Sequence, residues 1–124
     1  MAEELIEADL REFIVRHIDS VAQLEALLLL RNEQGAEWNA TAIARRLYIT
    51  EQHAIEVLRP LCETGLLRLD AGTYRYDGSD DQARNMVDHV ANTYAKHLIP
   101  ITQIIHGKPS RIREFANAFK FRKD

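Results

Sequence analysis

Apolar residues recur through much of the chain at the three- and four-residue steps that set one face of a helix against a core. Leu10, Phe13, Ile14 and Ile18, with Arg11, Glu12 and Arg16 between them, predict a first helix over residues 8–17. Asp19 and Ser20 interrupt it. Ser20 is a good N-cap and Gln23 stands three residues later, as in a capping box. Val21, Leu24, Leu27, Leu28 and Arg31 then predict a second helix ending near Gln34 and Gly35. Residues 27–30 are all apolar, which implies burial on more than one side.

Glu37, Trp38 and Asn39 read as a short extended piece. Thr41, Ile43, Ala44 and Leu47 follow with a brief helical pattern, capped by Asn39 or Thr41, that carries Arg45 and Arg46 outward. Thr50 offers another cap, and Ala54, Val57, Leu58, Leu61 and Cys62 share one face of a helix that stops at Gly65. Pro60 inside that helix removes a backbone hydrogen bond and predicts a bend or a shift of register. Residues 66–70 and 73–76, on either side of Ala71 and Gly72, predict two short strands joined as a hairpin. Residues 77–80 break the second strand and offer a further cap. Met86, Val87, Val90, Tyr94, Leu98, Ile101, Ile104 and Ile105 then predict one long helix to His106 and Gly107, kinked at Pro100. Ile112, Phe115, Ala116 and Phe119 predict a last short helix before a tail at 120–124.

The expected fold is mainly α with a small β-hairpin, in a single domain of 124 residues, a length that buries a core without metal or disulfide. Its parts are an N-terminal helix at 8–17, a core at 20–76, C-terminal helices at 79–119 and a basic tail at 120–124. The single Cys62 lies in a helical apolar pattern and reads as a buried structural thiol, in keeping with a reducing cytoplasm. The acidic start of the chain lacks the basic and apolar regions of a secretion signal, and no apolar run spans a bilayer. A cytoplasmic protein without a membrane partner is expected.

The formal net charge of −3 argues against indiscriminate binding to polyanions, yet its distribution is uneven. Residues 1–37 carry three basic against nine acidic groups, and residues 107–124 carry six against two. The terminal basic run is Lys108, Arg111, Arg113, Lys120, Arg122 and Lys123, with Phe119 and Phe121 interleaved. It reads as a segment packed across the acidic N-terminal helix of its own or a partner chain, as a nucleic-acid arm, or as a disordered tail.

Catalysis needs a nucleophile with its base, paired carboxylates or a phosphate-cradling loop, and the sequence displays none of these, so no enzyme is expected. The histidines His17, His53, His89, His97 and His106 form no pair at three- or four-residue spacing, and neither a metal nor another cofactor is expected. Asp77, Asp80 and Asp81 are explained by a turn and by favourable charge at a helix N-terminus. A ligand pocket between the long helix and the core stays open as a possibility.

The order from Trp38 to Tyr76, a short extended piece, a short helix, a turn, a second helix ending in "TGLL" and a hairpin, resembles the winged helix-turn-helix of bacterial transcription regulators. "NATAIARRLYITEQHAIEVLRPLCETGLL" resembles the helix-turn-helix and "RLDAGTYRY" the wing, while the flanking helices resemble in outline those of the MarR-like and arsenic-repressor-like groups. The resemblance implies DNA binding, with residues 50–64 as the recognition helix, exposing Glu51, Gln52, His53, Glu56 and Arg59, and with the flanking helices building a homodimer. Gln52 and Arg59 suit the major groove. Arg45, Arg46, Arg68 and Arg75 read as phosphate contacts or, alternatively, as solvated surface. His53 completes the candidate set. The stripe of Met86, Val87, Val90, Tyr94 and Leu98 is more than one small core is expected to absorb, which also points to self-association. Glu51, Glu56 and Glu63 have the wrong sign for a phosphate surface, so a winged-helix module that binds another protein is the second reading.

Overall fold

The computed structural model describes residues 6–108, which form six helices and one two-stranded antiparallel hairpin. The helices are α1 (Ala8–His17), α2 (Val21–Asn32), α3 (Ala40–Leu47), α4 (Glu51–Glu63), α5 (Asp81–Lys96) and α6 (Leu98–His106). Strands β1 (Leu67–Asp70) and β2 (Thr73–Tyr76) lie between α4 and α5. The last helix expected at Ile112, Phe115, Ala116 and Phe119, and the basic residues from Arg111 onward, lie outside the described residues.

Local capping chemistry sets most of the boundaries. Ser20 Oγ accepts from the Gln23 N–H at 3.1 Å, Asn39 Oδ1 from the Ala42 N–H at 2.8 Å, and Thr50 Oγ1 from the His53 N–H at 3.0 Å. Asp80 caps α5 by accepting from the N–H groups of Gln82 and Ala83. Gln23 departs from the expected capping box: its Oε1 accepts from the Asp19 N–H, one residue before the cap, and its Nε2 reaches across to α4 and donates to the Val57 carbonyl. Helix α2 ends at Asn32, earlier than the pattern suggested, and the Trp38 indole donates to the freed Glu33 carbonyl at 2.9 Å.

The long helix expected up to His106 is two helices. The chain leaves helical geometry at His97 (φ −134°, ψ 58°), three residues ahead of Pro100, which sits in the first turn of α6. A proline ring inside a helix collides with the carbonyl four residues earlier, here that of Lys96, whereas a first turn has no use for the missing N–H. The break therefore precedes the proline. Pro60, by contrast, is carried within α4, which runs without interruption from Glu51 to Glu63.

Helix α2 packs against α3, α4 and β2, and α1 packs against both α5 and α6, all around one apolar core. Leu10 and Ile14 of α1, Leu24, Leu27 and Leu30 of α2, Ile43, Leu58, Leu61, Ile101 and Ile105 are fully enclosed. The expected apolar excess on α5 is largely taken up here: Val87 and Val90 are fully buried and Met86 and Tyr94 half-buried, because α1 and α6 cover that face. Leu98 stays 54% exposed and its neighbour Ile99 65% exposed. Lys108, the first of the terminal basic residues, is only 5% exposed; its Nζ donates to the Ile18 carbonyl at 2.8 Å and to the Asp19 carboxylate at 2.6 Å.

The hairpin turns through Ala71 (φ 50°) and Gly72 (φ 83°), both left-handed, the pattern of a two-residue loop whose twist matches that of the strands. Leu67 pairs with Tyr76, Arg68 with Arg75, Leu69 with Tyr74 and Asp70 with Thr73. Trp38 forms an antiparallel bridge to Tyr74, whose N–H donates to the Trp38 carbonyl at 2.7 Å, so the segment before α3 touches the hairpin as a third extended piece. No helix among the described residues is long and apolar enough to cross a membrane.

Candidate nucleic-acid interface

Ile43 and Ala44 anchor α3 in the core and leave Arg45 and Arg46 outside. The two arginines have different environments. Arg46 is ion-paired with Glu33, bonded through both of its terminal nitrogens, and its guanidinium lies 5.8 Å from the centroid of the Trp38 ring. A charge already neutralised and placed over an aromatic face is a poor phosphate contact. Arg45 makes no ion pair among the described residues.

Three residues, Tyr48, Ile49 and Thr50, connect α3 to α4. Ala54, Val57, Leu58 and Leu61 bury one face of α4, and the other exposes Glu51, Gln52, His53, Glu56, Arg59 and Glu63. The Gln52 amide donates to the Glu56 carboxylate at 3.4 Å, and Glu51 accepts from the Thr41 hydroxyl at 3.1 Å. Arg59 has no carboxylate partner among the described residues. It stands close enough to the hairpin for its charge to act on the Tyr74 hydroxyl, whose pKa burial pushes up.

Arg68 and Arg75 stand opposite each other across the hairpin, on the face away from buried Leu67 and Tyr74. Like charges in such a pair oppose strand pairing, and Asp70 offsets half of it by accepting from Arg68 Nε at 3.0 Å. Arg75 has no ion pair among the described residues. The two arginines border a hollow of about 150 Å³ with Gln34, Trp38 and Tyr76.

The seven sequence-derived candidates thus divide. Among the described residues, Arg45, Arg59 and Arg75 are exposed cations without a carboxylate partner, on α3, α4 and β2. Arg46 and Arg68 are paired, Gln52 is turned to Glu56, and His53 lies exposed in the first turn of α4. Sequence reasoning gave no role to Tyr48, the most exposed large apolar side chain of the described residues. The one signal for it was its place in the turn ahead of the Thr50 cap.

The chain matches no protein-family model, no curated protein and no solved structure.

Elsewhere, a cleft of about 480 Å³ lies between α1 and the start of α5, with Phe13, His17, Leu66 and Met86 among its walls. The Phe13 and His17 rings are 4.6 Å apart, and His17 Nδ1 is buried without a hydrogen-bond partner among the described residues. Burial, with help from Arg16 and Lys108, lowers the His17 pKa below 6.5. Among the described residues no group of three or more His, Cys, Asp or Glu is placed to hold a metal ion. Cys62 is half-buried, and burial together with Glu63 pushes its thiol pKa up, away from reactive thiolate character.

Proposed function

We propose that the protein is a winged helix-turn-helix regulator that binds duplex DNA without catalysis. The observation that carries the reading is the joint placement of two helices across a three-residue turn and a hairpin bridged by Trp38 to the segment before α3. In that architecture α4 is the recognition helix, α3 crosses the phosphate backbone and the hairpin is the wing. Among the described residues, Arg45, Arg59 and Arg75 supply one cation without a carboxylate partner from each of these parts. Self-association goes with this reading, since paired recognition helices address two half-sites, and the exposed Leu98 and Ile99 at the start of α6 are the apolar surface available for it.

Replacing Arg45, Arg59 and Arg75 together by Ala tests the reading. The logarithm of the affinity for duplex DNA, plotted against the logarithm of salt, should lose about 2 to 3 units of slope per protomer, since each neutralised phosphate contributes about 0.9. An unchanged slope contradicts it.

A second reading is favoured by one observation, the three exposed carboxylates Glu51, Glu56 and Glu63 on α4. They oppose phosphate contact and suit a basic protein partner, which would make the chain a winged-helix interaction module. The triple arginine variant then loses nothing, whereas Glu51→Gln combined with Glu56→Gln loses the partner.

A further inference from the structure

Tyr48 is the residue that the fold accounts for least. It ends α3 in left-handed geometry, φ 59° and ψ 43°, which glycine adopts freely and a bulky residue adopts under strain. Helix-turn-helix connections often place glycine in the turn. Here the strained position carries a large aromatic side chain that is 95% exposed and makes no side-chain hydrogen bond or ring contact among the described residues. The fold bears the strain and gains no packing from the ring.

An arginine stands close to it in sequence. Arg45 lies one helical turn before Tyr48 and has no carboxylate partner among the described residues, while Glu33 is ion-paired with Arg46 and Glu51 accepts from the Thr41 hydroxyl. Two residues after Tyr48, Thr50 caps α4. When a first helix crosses the backbone of a duplex and the N-terminus of the second enters the groove, the turn between them passes the rim of the groove, at the level of the phosphates.

We propose that Tyr48 donates its hydroxyl to a backbone phosphate of duplex DNA, next to a phosphate neutralised by Arg45. This rests on the DNA reading above and adds to it a residue that fixes the turn against the backbone. Tyrosine hydroxyls are among the donors that position proteins on phosphates. Because the hydroxyl is neutral it releases no counterion, so its contribution is separable from that of Arg45 by salt dependence.

The experiment is an anisotropy titration of labelled duplex DNA with wild type, Tyr48→Phe, Tyr48→Gly and Arg45→Ala at several salt concentrations, with thermal unfolding of each protein alongside. Tyr48→Phe keeps the ring and the backbone and removes one hydrogen bond to a charged group, so it should weaken binding about tenfold with the salt slope unchanged. Arg45→Ala should weaken binding and lower the slope by about 1. Tyr48→Gly should weaken binding at least as much as Tyr48→Phe while unfolding at no lower temperature than wild type, because glycine relieves the strain. Salt-sensitive wild-type binding that Tyr48→Phe leaves intact overturns the assignment and leaves the DNA reading standing. Absence of wild-type binding overturns both.

Discussion

The buried amide of Gln23 donates from Nε2 to the Val57 carbonyl at 2.9 Å, tying the first turn of α2 to the middle of α4. Its Oε1 accepts from the Asp19 N–H at 2.7 Å, and the side chain is 2% exposed, so one residue satisfies polar groups on two separate parts of the core. The helix that carries the proposed contact surface is thereby fixed from behind. Gln23→Ala leaves the Asp19 N–H without its acceptor and opens a small cavity, and it should cost about 2 kcal/mol. Urea unfolding measures this as a lower midpoint at unchanged slope.

Arg45 and Arg46 are adjacent in sequence and differ in what surrounds them. Arg46→Ala removes the Glu33 ion pair and the contact with Trp38, and should lower stability by about 1 kcal/mol while changing the DNA salt slope little. Arg45→Ala should do the reverse. Parallel melting and salt titrations of the two variants separate the roles, and equal effects on the slope would contradict the assignment.

The pKa of His17 in the folded protein lies below its ordinary 6.5, because burial, Arg16 and Lys108 all disfavour the imidazolium. The unfolded chain then binds more protons near that pH. The stability this represents is fully present above pH 6.5 and is lost as pH falls from there through the lowered folded value. His17→Phe, which keeps an aromatic ring beside Phe13, should flatten the fall of the unfolding midpoint as pH drops below about 6.5.

Ala71 occupies the first left-handed position of the hairpin turn, where asparagine is preferred and alanine is strained. Ala71→Asn should stabilise the protein by on the order of 1 kcal/mol, read as a higher melting temperature. A lower one would show that the turn is not held in this geometry.

Features governed by a few neighbouring residues were legible in the sequence. Ser20, Thr50 and Gly65 mark helix ends by side-chain or backbone chemistry acting within a turn, and the structure has those ends in place. The break after α5 was read at Pro100 because the residue that triggers it is visible; the resulting bend three residues earlier follows from the carbonyl that the ring would strike. Contacts that join distant parts left no local trace. The Glu33 ion pair that withdraws Arg46 spans 13 residues, and the Gln23 contact with the Val57 carbonyl spans 34. The burial of Val87 and Val90 also depends on α1 and α6 folding over them. Tyr48 escaped notice because a left-handed backbone is signalled by glycine or asparagine, and this position has neither.

The proposed DNA-binding surface combines α3, α4 and the hairpin. The most direct test is anisotropy of a labelled random-sequence duplex titrated with the wild-type protein. With Arg45, Arg59 and Arg75 each neutralising a phosphate, affinity should fall about 40-fold per protomer between about 50 and 200 mM salt. No binding at the lower salt, where electrostatic attraction is strongest, would contradict this proposal and leave the carboxylate-bearing face of α4 to a protein partner.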